Sequence, residues 1–120
     1  MKIVAVIPAY NERGEIEAVV RAVQKYCDAV IVVDDGSSDG MRFVVDELGV
    51  NFVRHPVNKG QGAATRTGIK LALELGADIV ITLDGDGQHD PDQIPQLLNR
   101  MRETNADVVV GSRFLSKVDE

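Results

Sequence analysis

Two hydrophobic rhythms alternate along the chain. Residues 2–7 read Lys-Ile-Val-Ala-Val-Ile, a β-branched run closed by Pro8, the pattern of a strand buried on both faces. From Asn11 the period becomes helical, with Ile16, Val19, Val20 and Val23 on one stripe, Asn11 as the cap, and Glu12 and Glu15 near the positive end of the dipole. Residues 29–33 form a second apolar run ending in Asp34-Asp35-Gly36-Ser37-Ser38-Asp39-Gly40. Phe43, Val44 and Leu48 then predict a short helix stopped by Gly49, and Asp39 reads as a helix cap. A third strand is expected over 50–53, a loop over 55–62, a helix over 63–75 ended by Gly76, and a fourth strand over 77–83, expected to be the central one. Pro91 suits the first turn of a further helix striped by Ile94, Leu97, Leu98 and Met101. Pro95 is tolerated within that first turn, where its missing N–H would have lacked a partner. A strand over 106–110 leads into Gly111-Ser112-Arg113-Phe114.

Five strands alternating with four helices predict an α/β fold, a Rossmann-like parallel sheet with helices on both faces. In such sheets ligands sit outside the carboxyl ends of the strands. Polar residues accumulate at those ends: Tyr10 and Glu12 after the first strand, Asp34 and Asp35 after the second, Asp84 and Asp86 after the fourth, and Arg113 after the fifth.

The stretch Leu83-Asp84-Gly85-Asp86-Gly87-Gln88-His89-Asp90-Pro91 carries the densest chemistry. Carboxylates one residue apart repel unless a cation lies between them. Asp84, Asp86 and the Gln88 amide offer oxygen ligands only, which suits Mg²⁺ or Mn²⁺ better than zinc, with open positions left for water or substrate phosphates. His89 has no Cys or second His nearby and makes a poor zinc site, so a surface or supporting role is expected. Asp and Gly also dominate ordinary turns; the placement of this cluster at a strand end, with the other strand-end polar groups, favours a site.

Composition narrows the classes further. The 120 residues, 44% hydrophobic, make one domain over 1–120, and no apolar run reaches the roughly 18 residues of a bilayer span. The first strand begins at once, too short an apolar stretch for a secretory signal, so a cytoplasmic location is expected. A net charge of −6 disfavours nucleic acid as a partner, and a negative protein that binds phosphates needs a metal as mediator. The single Cys27 cannot form an internal disulfide and reads as a small buried apolar residue. With Lys59, Arg66 and Arg113 as basic groups for phosphate, the constellation suits a nucleoside diphosphate conjugate and transfer of the group attached to its diphosphate.

The motifs Ile7-Pro8-Ala9-Tyr10-Asn11-Glu12, Val33-Asp34-Asp35-Gly36-Ser37-Ser38-Asp39-Gly40, Asn58-Lys59-Gly60-Gln61-Gly62-Ala63-Ala64-Thr65-Arg66-Thr67-Gly68, the Asp84–Pro91 cluster and Gly111-Ser112-Arg113 resemble the successive signatures of family 2 glycosyltransferases with the GT-A fold. The pattern is closest to the polyprenyl-phosphate, dolichyl-phosphate mannose synthase-like branch. The resemblance covers nearly the whole chain. It implies that Pro8, Tyr10 and Glu12 line the nucleoside pocket, that Asp35 contacts the base, and that Lys59, Arg66 and Gly85 lie along the nucleotide-sugar. It further implies Mg²⁺ or Mn²⁺ on Asp84, Asp86 and Gln88, Asp86 and Arg113 in catalysis, a UDP- or GDP-sugar donor, a lipid phosphate acceptor, and inversion by one in-line displacement.

Members of that family usually continue well past the Gly-Ser-Arg element, into segments that bind acceptor and often into a membrane anchor. The chain is therefore expected to be a GT-A nucleotide-binding core truncated at its C-terminus, lacking most of the acceptor-binding half. Peripheral membrane contact would then come through the acceptor or a missing segment. Weak transfer, slow hydrolysis of the sugar nucleotide, or binding alone are the expected behaviours, and a homodimer could cover exposed apolar surface. Two other classes echo single motifs. A haloacid-dehalogenase-like phosphatase shares Asp-x-Asp-Gly, but carries it on its opening strand. A response-regulator receiver shares an acidic pair, but has no place for the glycine-rich 58–68 segment.

Overall fold

The computed structural model describes residues 2–83, 85, 94–96, 98–99 and 108–110. Strands β1 (Ile3–Ala9), β2 (Ala29–Asp34), β3 (Asn51–Arg54), β4 (Ile79–Thr82) and β5 (Val108–Val110) form one sheet in the order β3-β2-β1-β4-β5, every pairing parallel. Helices α1 (Arg13–Gln24), α2 (Met41–Asp46) and α3 (Gln61–Glu74) connect them. Residues 94–96 and 98–99 are helical, with Ile94 and Leu98 buried as their stripe predicts, and Pro95 exposed. Leu97, Met101 and Pro91 lie outside the described residues.

The central strand is β1, not β4 as expected. Both runs are apolar, and periodicity carries no information about which strand gains neighbours on both edges. β1 pairs with β2 along Val4–Ala9 and with β4 along Ile3–Val6. It also runs two residues beyond its expected end, through Pro8. The Pro8 carbonyl accepts from the Gly85 N–H at 3.3 Å, so the edge on which proline lacks a donor faces the chain after β4, just past the last β1–β4 pair. Chain order in the sheet reverses between β1 and β4, and a crevice opens at such a point.

Each sheet face has its own core. On one, Ala5, Ile7, Val30, Val32, Ile79 and Ile81 pack with Ile16, Val19, Val20 and Val23 of α1, Met41 and Val45 of α2, and Ile94 and Leu98. On the other, Val4, Val6, Ile31, Val33 and Val80 pack under α3, which presents Ala64, Gly68 and Ala72 to them. Small residues at four-residue spacing let this helix lie close to the sheet. A β-carbon on Gly68 would overlap Val6 Cγ1 and come within 3.1 Å of Val33 Cγ2. Cys27 is half-buried against the first core. Burial, with the neighbouring Asp28 charge, pushes its thiol up to about 12, so it stays protonated and unreactive at neutral pH.

Asn11 is not the cap of α1. It adopts φ +52°, donates its N–H to Ser37 Oγ and accepts from the Ser38 N–H through Oδ1, both at 2.8 Å, while Glu12 takes the cap position. The N–H that opens the helix, that of Arg13, goes to Asp39 Oδ2 at 2.9 Å. Asp39 Oδ1 accepts from Met41 N–H at 3.0 Å, so one carboxylate serves the first residues of both α1 and α2. Asp39 is not itself the cap residue expected, since Gly40 and Glu12 hold the cap positions; its carboxylate instead accepts the first N–H of each of two helices.

Candidate functional site

A pocket of about 330 Å³ opens at the carboxyl ends of β1 and β2, against the start of α3. Pro8, Ala9, Tyr10 and Glu12 wall it from the β1 side, Asp35 stands at the end of β2, and Asn58, Gly60, Gln61 and Ala64 close it from the α3 side. Four residues expected at a nucleoside site, Pro8, Tyr10, Glu12 and Asp35, therefore meet in one cavity. The Tyr10 side is half exposed, 47% accessible, leaving the aromatic ring available to a planar ligand.

The two neighbouring acids do different work. Asp34 is wholly buried; its Oδ1 accepts from Ser37 N–H and its Oδ2 from Arg54 Nη1, each at 2.8 Å. It holds the turn after β2 and does not line the pocket. Asp35 is 3% exposed and faces the pocket. Its Oδ1 accepts from Lys59 N–H and lies 2.9 Å from His55 Nδ1, and its Oδ2 accepts from Gly60 N–H at 2.8 Å. Burial on its own would raise the Asp35 pKa. Donation from Lys59, His55 and Gly60, with the His55 ring nearby, outweighs it and holds the carboxyl below its ordinary value of 3.8.

Asp35 thereby ties the end of β2 to the loop entering α3. Gly36 tightens the same junction: at φ +84° it passes so close to the loop that a β-carbon would lie 2.7 Å from Asn58 N and 2.8 Å from the Val57 carbonyl carbon. Lys59 contributes its backbone N–H to Asp35 and carries an exposed side chain, and Arg66 is exposed on the second turn of α3; neither lines the pocket.

Gly85 is buried beside the pocket. Its N–H meets the Pro8 carbonyl, and a β-carbon there would come to 2.8 Å from Ala9 Cβ and 3.2 Å from Glu12 Oε1. That contact brings the chain between Asp84 and Asp86 against the pocket wall. Asp84, Asp86, Gln88, His89 and Arg113 themselves lie outside the described residues. Among the described residues no group of three His, Cys, Asp or Glu side chains could hold a metal.

Asn58, Gln61, Ala64 and His55 were not singled out from the sequence. Asn58, Gln61 and Ala64 fall inside a glycine-rich motif whose composition signals a loop and helix start without saying which side chains turn inward. His55 is one histidine at a strand end, with no local pattern to mark it. Its partners, Asp35 and Thr67, are 20 and 12 residues away.

The family profile of glycosyl transferase family 2 matches residues 4–120. The UDP-N-acetylglucosamine–dolichyl-phosphate N-acetylglucosaminyltransferase of Methanococcus voltae is 41% identical over 127 residues, covering 91% of this chain and 51% of that protein. The polyprenol monophosphomannose synthase of Mycolicibacterium smegmatis is 36% identical, covering 92% and 44%. The chain spans about half the length of the curated relatives it matches. Glucosyl-3-phosphoglycerate synthase from Mycobacterium tuberculosis, solved in complex with Mn²⁺, UDP and glucosyl-3-phosphoglycerate, superposes with a TM-score of 0.64 at 30% identity, covering 83% of this chain and 39% of that one. With the parallel sheet, the pocket at its carboxyl edge and a profile match over nearly every residue, the chain belongs to glycosyl transferase family 2 and has its GT-A nucleotide-binding core.

Proposed function

We propose that these 120 residues are the donor-binding part of a metal-dependent, inverting glycosyltransferase that takes a UDP- or GDP-sugar and serves a polyprenyl phosphate or similar acceptor. The observation that carries this proposal is the convergence of Pro8, Tyr10, Glu12 and Asp35 in one pocket beside Gly85. Tyr10 offers a face for the base and Asp35 an ionised acceptor for a base N–H. Lys59 and Arg66 lie near enough in the chain to serve the phosphates, and Arg113 would meet the diphosphate or the acceptor phosphate.

The donor set of Asp84, Asp86 and Gln88 is all oxygen and fits a hard divalent ion, Mg²⁺ or Mn²⁺; the close approach of Gly85 to the pocket wall supports its placement there. Such an ion supplies charge stabilisation for a departing diphosphate. In the transfer, an acceptor phosphate oxygen bonds to the anomeric carbon from the face opposite the diphosphate oxygen that leaves, and the nucleoside diphosphate is released. A phosphate acceptor is already ionised near neutral pH, so no general base is required. The names of the two curated relatives support a lipid phosphate acceptor. Among the described residues no helix is long and apolar enough to cross a membrane. A cytoplasmic location belongs to the same proposal, with peripheral membrane contact through the acceptor or through a segment beyond these 120 residues.

A donor-binding domain with weak hydrolysis or no turnover is the second reading, supported by the match to only about half of each curated relative. Titration calorimetry of UDP-glucose and GDP-mannose, with Mn²⁺ and with chelator, tests both. One donor is expected to bind at least about tenfold tighter with metal, equivalent to ~1.4 kcal/mol. Asp86→Ala is expected to keep the fold and lose that metal dependence; unchanged affinity with and without Mn²⁺ in this variant would sink the metal assignment. Release of nucleotide in the same mixtures would mark turnover. A homodimer belongs to the same proposal, and elution as a monomer at micromolar concentration would overturn it.

A further inference from the structure

Behind the pocket, His55 is 8% exposed and bridges two elements. Its Nδ1 lies 2.9 Å from Asp35 Oδ1, and its Nε2 2.9 Å from Thr67 Oγ1 on α3. The ionised Asp35 can only accept, so Nδ1 carries a hydrogen and donates, while Nε2 pairs with the Thr67 hydroxyl, which can serve as donor or acceptor. A three-residue chain, Thr67 to His55 to Asp35, thus runs from the second turn of α3 to the end of β2. Asp35 in turn accepts the N–H groups of Lys59 and Gly60, the residues that deliver Gln61 to the first position of α3.

We infer that His55, steadied by Thr67, is a positioning residue for donor binding: it fixes the Asp35 carboxylate so that one group both shapes the Asn58–Gly60–Gln61 wall and presents a set acceptor to the ligand. The physical basis is the rotamer freedom of an aspartate. Left with only the two backbone donors, the Asp35 carboxylate could rotate; the ring donor to Oδ1 restricts that freedom before a ligand arrives. Pre-paid ordering of this kind appears as ligand affinity. His55 itself does not line the pocket.

The inference rests on the nucleotide-binding proposal above, and two isosteric variants separate the two. In His55→Asn the amide nitrogen stands where Nδ1 stood and can still donate to Asp35, while the link to Thr67 is cut. In His55→Gln the amide nitrogen reaches toward Thr67 and the donor to Asp35 is lost. Each variant, with His55→Ala, is titrated with UDP and GDP in Mn²⁺, and amide hydrogen exchange at Lys59 and Gly60 is followed by NMR in the absence of nucleotide. For whichever nucleotide the unaltered chain binds, His55→Gln and His55→Ala are expected to bind about tenfold more weakly, the scale of one hydrogen bond to a charged group. Both should exchange Lys59 and Gly60 faster, and His55→Asn should stay within about threefold of the unaltered affinity. Should His55→Ala fail to fold, the Asn and Gln pair still decides. Equal binding by His55→Gln and the unaltered chain would overturn the inference. So would an Asn variant as weak as the Gln variant, since ring volume and not the donated bond would then matter. An unaltered chain that binds neither nucleotide would instead overturn the nucleotide proposal itself.

Discussion

Asp35→Ala is expected to lower the stability of the fold by about 3 kcal/mol and to weaken nucleotide binding by about a hundredfold or more. The carboxylate is 3% exposed and collects the N–H groups of Lys59 and Gly60 together with His55 Nδ1. Alanine leaves all three without their acceptor in a place water reaches poorly, and that desolvation cost is what the stability measurement reads. Binding falls further because the same substitution removes the proposed acceptor for the base and slackens the pocket wall. Urea unfolding and calorimetry on the same sample check both arms. A variant as stable as the parent would mean that the loop finds other partners for these donors.

Acid sensitivity follows with a definite sign. The folded carboxyl of Asp35 lies below its ordinary value of 3.8, so in the interval between the two the unfolded chain binds more protons and stability rises with pH. The contribution of Asp35 is complete above the ordinary value and is lost as pH falls through the lowered folded value. The stability curve of Asp35→Ala is therefore expected to be flatter than the parent curve below pH ~3.9 and to run parallel to it at neutral pH.

Gly68→Ala is expected to destabilise the protein by about 2 kcal/mol, although alanine is the better helix former by about 1 kcal/mol. Overpacking wins, at about 3 kcal/mol, because the new methyl would overlap Val6 Cγ1 and crowd Val33 Cγ2, both on wholly buried residues of β1 and β2. Helix α3 would have to lift from the sheet. It also carries Gln61 and Ala64 of the pocket, so nucleotide affinity should fall with stability. Gly14→Ala is the control: it lies in α1 with nothing within 4 Å of the added carbon and should stabilise by ~0.5–1 kcal/mol. Equal urea midpoints for Gly68→Ala and the parent would show that α3 does not sit this close to the sheet.

Element type was readable where strand runs are apolar, as in β1, β2 and β4, and helices striped; in α2 the buried residues are Met41 and Val45, and Phe43 of the expected stripe is exposed. α1 shows the clearest case, with Ile16, Val19, Val20 and Val23 all buried as their spacing predicts. Boundaries moved where backbone pairing and not side-chain pattern sets the end. β1 continues through Pro8 because the edge on which proline lacks a donor falls just beyond the ladder with β4. Of the candidate site, Pro8, Tyr10, Glu12 and Asp35 were legible from motif and strand-end position, and they do meet. The separate duties of Asp34 and Asp35 were not legible. Adjacent residues leaving a strand point to opposite sides, and only the sheet neighbours show which side holds Arg54 and which the pocket.

By itself the sequence determined the fold class, the family and the strand ends at which polar chemistry gathers, since all three depend on patterns local in the chain. Tertiary structure alone decided that β1 is central, that Asp39 opens two helices, that Gly68 must be glycine, and that His55 joins Thr67 to Asp35. These depend on groups distant in sequence coming within contact range, and no local periodicity records such distances.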